Sequence, residues 1–330
     1  MTSTYTFSLS DICSLLTYQK SFPYYEDNPE FYESHLKNYH VFKVNGCNAV
    51  LGYIPNSVVE RFHWTENEWN VDGASRTVTL MAAPDSDPAV RSEIMSRLLA
   101  EAVRRETFEV LKGWRAEMYP VFAPGGKFLL EMERSASPLF GIITYGVHMT
   151  GYVEDEKEGL KLWVARRSKT KQTYPNMLDN TAAGGMSTGE HPYGCAIREA
   201  AEEASIPAAV FEERARPVGV LTYFYVRDAR AGGETGLLQP EIEYIYDIRL
   251  DASHAVKPCD SEVEDFRLWT VDEVRQSLSN GEWKPNCAAV VIDFLIRHGV
   301  LTPENEPDYL EIMARMHRRL PFPTVKFDLK

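Results

Sequence analysis

The spacing of apolar residues predicts two successive units that mix helices and strands. In the first unit, a capping signal and apolar spacing in SLSDICSLL predict a helix, and a longer helix is predicted at 88–106, where Pro88 favours the first turn. Alternation with a period of two predicts strands in NYHVFKV, NAVLGYI and SRTVTLMAA. The stretches GWRAEMYPVF and KFLLEMER follow. We therefore expect a small α+β domain over residues 1–137.

The second unit interleaves strands with helices. The strand-like stretches are FGIITYGVHMTGYVE, KLWVARRS, VGVLTYFYVRD and EIEYIYDIRL. Helices are predicted at 192–205, in VDEVRQSLSN, in AAVVIDFLIRHG and in the tail NEPDYLEIMARMHRRL. This order is typical of a sheet that is covered by helices on both faces. We expect an α/β domain with a mixed sheet over residues 138–330.

Composition and charge exclude several classes of partner. The chain has 330 residues, of which 44% are hydrophobic and 25% are charged, and these values fit two globular domains. Its formal net charge of −13 disfavours binding to nucleic acids and to anionic membranes. No apolar run approaches the length of a membrane-spanning helix. A small phosphorylated ligand is compatible with this charge if cationic side chains gather around it.

The cysteine pattern predicts a reducing compartment. The five cysteines are odd in number, far apart and without a CxxC pair: Cys13, Cys47, Cys195, Cys259 and Cys287. The histidines form no metal-binding pair, so a structural zinc site is not expected. The N-terminus lacks the basic residue and the long apolar stretch of a secretory signal. We expect a cytosolic protein.

Candidate chemistry is concentrated between Gly184 and Ile206, in GGMSTGEHPYGCAIREAAEEASI. In a helix over 192–205, the carboxylates of Glu199, Glu202 and Glu203 share one face, where they repel each other unless a cation lies between them. Oxygen ligands of this kind suit Mg²⁺ or Mn²⁺. The alternative is a solvated acidic helix, but no lysine within the segment neutralises these charges.

The same segment resembles the Nudix box, G-x5-E-x7-R-E-U-x-E-E-x-G-U, in which U is apolar. Gly184 begins the match, and it continues through Glu190, Arg198–Glu199, Glu202–Glu203 and Ile206. One position departs, because Ser205 stands where the pattern has glycine. Glycine serves a left-handed turn at a helix end, so serine is expected to cost about 1 kcal/mol there without affecting the carboxylates.

The resemblance implies an α/β/α sandwich, preceded here by the smaller α+β domain, that hydrolyses diphosphates linked to another group. By position, Glu199, Glu202 and Glu203 would hold Mg²⁺, with Mn²⁺ possible. Arg198 and Glu190 would form an ion pair that orients these carboxylates. The metal would bridge phosphate oxygens and activate the attacking water.

A narrower resemblance concerns the substrate. KTKQTYPNMLDNTAAGGMSTGE, CAIREAAEEASI and GWRAEMYPVF are similar to the Nudix subgroup related to thiamine pyrophosphokinase, over most of residues 35–300. This subgroup is associated with converting oxidised forms of thiamine diphosphate to their monophosphates. One alternative is a diphosphatase of the ADP-ribose type, which needs the same box. A second alternative is a non-catalytic binding module, which the intact carboxylates disfavour.

Weaker candidates lie outside the box. Arg166, Arg167, Lys169 and Lys171 form a basic cluster that either meets the substrate phosphate or is a solvated strand end, and we assign Arg166, Arg167 and Lys171 to substrate binding. The backbone of Gly184 and Gly185 is assigned to the same role.

Two acidic residues and several aromatic side chains are further candidates. Glu241 or Glu243 is a candidate base, and we expect only one of them to face the site because strand side chains alternate. The strand aromatics either stack on a flat heterocycle or, as is more common, pack in the core, whereas the residues of the first unit either close the substrate cleft or pack the domain interface, and packing is expected. These residues are Tyr223, Tyr225, Tyr244 and Trp163 on strands, and Trp114 and Tyr119, with the neighbouring Arg115, in the first unit.

Overall fold

The computed structural model describes residues 22–251, 254, 256–259 and 261–327. The helix expected in SLSDICSLL, and with it Cys13, lies outside the described residues. The other four cysteines are free thiols. Within the described ranges, no helix is both long enough and apolar enough to cross a membrane.

A four-stranded sheet organises the first unit. Its strands are β1 (Tyr39–Val44), β2 (Cys47–Pro55), β3 (Trp69–Asp72) and β4 (Thr77–Leu80), in the order β2-β1-β4-β3. The helices are α1 (Pro29–Leu36), α2 (Asn56–Val59) and α3 (Pro88–Arg104). Alternation places Phe42 and Val44 of β1 in the core, as predicted for this stretch. The predicted long helix is α3, which Asp87 caps by accepting from the backbone N–H of Ala89 at 2.8 Å.

A hairpin leads from the first unit towards the second. Its strands are β5 (Met118–Ala123) and β6 (Lys127–Glu133), and α3 packs against β6. A 3₁₀ helix, Glu109–Gly113, precedes the hairpin, and the short helix α4 (Ser137–Phe140) follows it. The hairpin and the 3₁₀ helix are the parts of the first unit that reach the site described below.

A seven-stranded mixed sheet forms the centre of the second unit. Its strands are β7 (Thr144–Asp155), β8 (Gly159–Arg167), β9 (Leu178–Asp179), β10 (Ala182–Gly185), β11 (Ala215–Val226), β12 (Leu238–Arg249) and β13 (Val263–Thr270). The main order is β11-β12-β7-β8-β13, with β10 beside β7 and β9 beside β8. Strands β12 and β7 run parallel, whereas the other pairs are antiparallel.

Helices cover both faces of this sheet. They are α5 (Pro192–Ala204), α6 (Ala208–Arg214), α7 (Val271–Ser279), α8 (Pro285–Arg297) and α9 (Tyr309–Met316). Cys195, Ala196 and Ala200 of α5 share a core with Val147 and Met149 of β7. Helix α8 is buried in a second core with residues of β8, β11 and β12. The predicted α/β/α sandwich with a mixed sheet is thus confirmed, as is the α+β unit before it.

Candidate active site

Helix α5 carries the carboxylates, and its end is shaped by Ser205. Ser205 has φ 55° and ψ 30°, in the left-handed region, and the backbone N–H of Ile206 donates to the carbonyl of Ala200 at 3.0 Å. The Ser205 hydroxyl also donates to the carbonyl of Lys257 at 3.0 Å. Serine therefore adopts the turn for which the pattern uses glycine.

The three carboxylates of α5 differ in burial. The side chain of Glu199 is 12% exposed and that of Glu202 is 55% exposed. Glu203 accepts a hydrogen bond from the backbone N–H of Ala183 at 2.9 Å, and burial raises its pKa to about 8. Burial also raises the pKa of Glu199, although Arg198 opposes this shift. A nearby divalent cation would favour the charged forms of both carboxylates.

Arg198 bridges the acidic residues of the segment. Its Nε donates to Glu190 Oε1 at 2.9 Å, and its Nη1 donates to Glu199 Oε1 at 2.6 Å and to Glu202 Oε2 at 3.1 Å. Glu190 Oε2 also accepts from the backbone N–H of Ser187 at 2.8 Å. One guanidinium thus ties the loop before α5 to two of the carboxylates on the helix.

The glycines of β10 make room for two side chains. A Cβ on Gly184 would overlap the carboxylate of Glu199, and a Cβ on Gly185 would overlap the hydroxyl of Tyr119. Both glycines line the cavity described below. From the sequence, the backbone of these glycines was predicted to bind the substrate. The structure shows in addition that the lack of a side chain leaves space for Glu199 and Tyr119.

Replacing Gly184 by Ala is expected to lower kcat/KM by about tenfold or more, because the new methyl group displaces Glu199. The matched control is Gly194→Ala, since Gly194 lies in α5 with no atom within 4 Å of its added Cβ. Alanine favours the helix there, so activity should be unchanged. Equal kinetics for the two variants would contradict the assigned position of Glu199.

Glu241 and Glu243 both face the cavity, so the expectation that only one does was wrong. Residues two apart on a strand share a face. Tyr223 Oη lies within hydrogen-bonding distance of both carboxylates, at 2.8 Å from Glu243 Oε1. A single phenol hydrogen cannot serve both. The second hydrogen bond therefore needs a proton on one of the two carboxyl groups. Burial and the charge of Glu243 raise the pKa of Glu241, so this proton is assigned to Glu241.

The two carboxylates differ in their remaining partners. Glu241 Oε1 accepts from Thr144 Oγ1 at 3.0 Å and from Gln239 Nε2 at 2.7 Å. Glu243 Oε2 has no hydrogen-bond partner among the described residues. A Cβ on Gly146 would overlap this oxygen and would lie 3.0 Å from the carbonyl oxygen of Gly184. Of the two carboxylates, Glu243 is therefore the one whose oxygen can act on a ligand bound beside strands β7 and β10.

Glu243 contacts a buried network of polar side chains that begins with His148. His148 Nε2 lies 3.6 Å from Glu243 Oε1, and Nδ1 lies 2.7 Å from Asn180 Oδ1. Burial opposes a charge on the ring, but Glu243 and Cys287 outweigh it and raise the pKa of His148 well above its usual value. A protonated His148 beside Glu243 would fix the position of that carboxylate.

His148, Asp179 and Cys287 place three potential metal ligands within 4.8 Å of one another. Both oxygens of Asp179 are already occupied: Oδ2 accepts from Arg167 at 2.6 Å, and Oδ1 accepts from Cys287 Sγ at 2.7 Å. Arg167 also supplies the positive charge that a metal would bring. This group is therefore a hydrogen-bonded part of the core.

A cavity of about 790 Å³ opens over the carboxylates and is lined by both units. Of the predicted phosphate-binding residues, Arg167 and Lys171 line it and Arg166 does not. Arg166 donates instead to the carbonyl of Asn176 at 2.9 Å. Arg167 is paired with Asp179, and Lys171 with Glu262.

Sequence reasoning missed four cations of the cavity wall, Lys112, Arg134, Arg227 and Lys284, of which Lys284 and Arg134 matter most for the site. Lys284, just before α8, lines the cavity and has no ion-pair partner in the described part of the chain. Arg134 at the end of β6 also lines it. Neither residue belongs to a motif, and both reach the site only through the folding of distant segments.

The aromatic candidates divide between the cavity and the cores. Tyr225 and Tyr119 line the cavity, and Tyr223 holds the Glu241–Glu243 pair. Tyr244 and Trp163 instead pack against the α5-side core. Among the N-terminal residues, Arg115 joins Tyr119 in the cavity wall, whereas the Trp114 side chain is exposed. The packing role expected for these residues thus fits Tyr119, which is buried against Gly185, but not the exposed Trp114.

The donor set fits a hard divalent cation. The carboxylate oxygens come from α5, and the carbonyl oxygen of Gly184 and Glu243 Oε2 both lie beside the position that a Cβ on Gly146 would take. Among the described residues, Arg198 is the cation that forms ion pairs with the α5 carboxylates Glu199 and Glu202. Oxygen ligands with excess negative charge suit Mg²⁺ or Mn²⁺.

Comparisons with known proteins agree with this arrangement. The NUDIX domain model matches residues 144–289, and the model of a domain of unknown function (DUF4743) matches residues 25–144. An uncharacterised protein of Saccharomyces cerevisiae is 42% identical over 243 residues, which are 71% of this chain and 70% of the yeast protein.

Two further proteins illustrate the range of similarity. Nudix hydrolase 20, chloroplastic, of Arabidopsis thaliana is 37% identical over 212 residues, which cover 64% of this chain and 54% of the plant protein. The chain thus spans about half the length of that relative. An Ap4A hydrolase of C. elegans superposes with a TM-score of 0.35 at 14% identity, over 48% of this chain and 99% of that chain.

Proposed function

This chain belongs to the Nudix hydrolases, enzymes that cleave diphosphate bonds, and we propose that its substrates are oxidised analogues of thiamine diphosphate. In the proposed reaction, water attacks the terminal phosphorus of oxo- or oxythiamine diphosphate. The bond from that phosphorus to the bridging oxygen breaks, and inorganic phosphate and the analogue monophosphate are released. The principal support is that Glu199 and Glu202 line a cavity that is also lined by cationic side chains, with Glu203 beside them on α5 and bonded to the backbone of β10.

Each residue of the proposed site has a distinct task. Glu199, Glu202 and Glu203 would hold the divalent metal, and Arg198 with Glu190 would orient them. Magnesium, or manganese in its place, neutralises the charge of the phosphate oxygens when bound. Glu243 takes the proton of the attacking water on its free Oε2.

The substrate proposal rests on the resemblance of residues 169–190, 195–206 and 113–122 to the thiamine-related subgroup. The cavity offers Lys171 and Lys284 for the diphosphate; Arg167 lines it too, but its guanidinium is bonded to Asp179 and Thr173. It also offers the side-chain amide of Gln172 as a neutral donor for the carbonyl group that oxidation introduces. A site built to donate to such a carbonyl discriminates by orders of magnitude against an analogue without it.

Two other proposals concern the whole chain. We propose that the boundary between the two domains lies between residues 137 and 138. The two family models meet at residue 144, a few residues later. We also propose a cytosolic location, from the cysteine pattern. The names of the two plant relatives contain the word chloroplastic, so the location needs direct imaging of the tagged protein.

We expect the highest kcat/KM with oxo- or oxythiamine diphosphate, compared with thiamine diphosphate and ADP-ribose. All four are assayed with magnesium, and the products are separated by chromatography because ADP-ribose yields two monophosphates rather than free phosphate. Enzyme carrying Glu202→Gln, prepared in parallel, reports any contaminating phosphatase. A clear preference for ADP-ribose would overturn the substrate proposal and favour the alternative diphosphatase.

A further inference from the structure

The hairpin β5–β6 of the first unit is fixed to the loop that carries Glu190. Both the backbone N–H and the hydroxyl of Thr188 donate to the carbonyl of Met118, at 2.8 and 3.1 Å. Met118 begins β5, and Thr188 lies two residues before Glu190. The first unit is thus held against the acidic segment through backbone atoms.

The next residue of the hairpin reaches the glycine strand itself. Tyr119 is 5% exposed, and its hydroxyl lies where a side chain on Gly185 would be. The guanidinium of Arg134 lies 5.6 Å from the centre of the Tyr119 ring. Tyr119 therefore connects β10 to Arg134 by direct packing.

Arg134 has donor groups that no other described residue uses. Its Nη1 donates to Glu117 Oε2 at 2.7 Å, while Nε and Nη2 have no hydrogen-bond partner among the described residues. The side chain is 35% exposed and lines the cavity. By contrast, Arg198 and Arg167 are each held by several bonds within the protein.

We propose that the N-terminal unit is part of the active site, and that Arg134, held by Glu117 and Tyr119, binds a phosphate oxygen of the substrate. This inference rests on the proposed function as a diphosphatase but not on the organic group that carries the diphosphate. A guanidinium with free N–H groups suits a phosphate, because it can donate two parallel bonds. The bond to Glu117 holds the side chain through Nη1 and leaves Nε and Nη2 without a hydrogen-bond partner among the described residues.

Replacing Arg134 by Gln is expected to weaken binding of methylenediphosphonate, a non-hydrolysable diphosphate, by about ten- to hundredfold. Binding is measured by calorimetry with magnesium present. Arg134→Lys keeps the charge but loses the planar fork, so its affinity for methylenediphosphonate should fall between those of the wild type and Arg134→Gln. The matched control is Arg104→Gln, an exposed residue of α3 that pairs only with Glu101.

Thermal unfolding of each variant separates binding from folding. If Arg134→Gln fails to fold, Arg134→Lys decides the question. Steady-state kinetics add a second readout, since loss of a substrate contact should raise KM more than it lowers kcat. Binding and KM at wild-type values in a folded Arg134 variant would overturn the inference.

The two proposals fail in different ways. If the wild type binds methylenediphosphonate through Arg134 but does not hydrolyse thiamine analogues, only the proposed substrate is wrong. If it hydrolyses those analogues and Arg134→Gln behaves as the wild type does, only the role of the N-terminal unit is wrong. If the wild type binds no methylenediphosphonate, the inference is overturned together with the diphosphate site on which it rests.

Discussion

Replacing Glu202 by Gln is expected to lower turnover by about 10²- to 10³-fold without changing Tm. The substitution removes a charge from the proposed metal site and changes little volume. Because the Glu202 side chain is 55% exposed and makes one bond, to Arg198 at 3.1 Å, the fold does not depend on it. The loss should therefore appear in catalysis and in metal affinity.

The control for this prediction is Glu212→Gln, which changes an exposed glutamate on the neighbouring helix α6. It makes the same chemical change outside the cavity, so its turnover should equal that of the wild type. Near-normal turnover of the Glu202 variant at saturating magnesium would contradict the assignment of Glu202 as a ligand.

Replacing Arg198 by Lys is expected to lower kcat/KM by about 10- to 100-fold. The guanidinium contacts Glu190, Glu199 and Glu202 through four hydrogen bonds, two of them to Glu190, and one ammonium group cannot reproduce this geometry. The carboxylates would keep a nearby positive charge but lose their fixed orientation. The apparent metal affinity, taken from the magnesium dependence of the rate, should weaken as well.

Arg214→Lys is the matched control, because Arg214 pairs with Asp251 on the surface of the second unit. It should leave both the rate and its magnesium dependence unchanged. If Arg198→Lys kept wild-type kinetics and magnesium dependence, Arg198 would have no positioning role.

The carboxylate helix was predictable from sequence because its geometry is local. The spacing of Glu199, Glu202 and Glu203 sets their common face, and Pro192 sets the helix start. Ser205 departs from the glycine of the Nudix box, but it still adopts the left-handed conformation that its place at the helix end predicts. The long strands and the two-sided covering of the sheet followed from the apolar pattern for the same reason.

Shorter strands and cross-chain contacts were not predictable in this way. Strand β10 consists of two alanines and two glycines, so its sequence has no strand pattern, and β13 was not distinguished from its surroundings. The tail helix was expected over NEPDYLEIMARMHRRL but spans only Tyr309–Met316. The expectation that only one of Glu241 and Glu243 faces the site was avoidable, because residues two apart on a strand lie on the same face.

The contribution of the first unit depends on contacts between residues far apart in sequence. Nothing in KFLLEMER marks Arg134, and only the pairing of β5 with β6 and the bond from Thr188 to Met118 bring it to the cavity. Lys284 reaches the same cavity from just before α8. Residue spacing within a motif carries no information about such positions.

The central claim is that the carboxylates of α5 form a divalent-metal site, and calorimetric titration with Mn²⁺ tests it most directly. The wild type should bind the ion, and Glu202→Gln should bind it about tenfold or more weakly under the same conditions. The Glu212→Gln control should match the wild type. Equal Mn²⁺ affinity in the wild type and the Glu202 variant, or no binding by the wild type, would contradict the account.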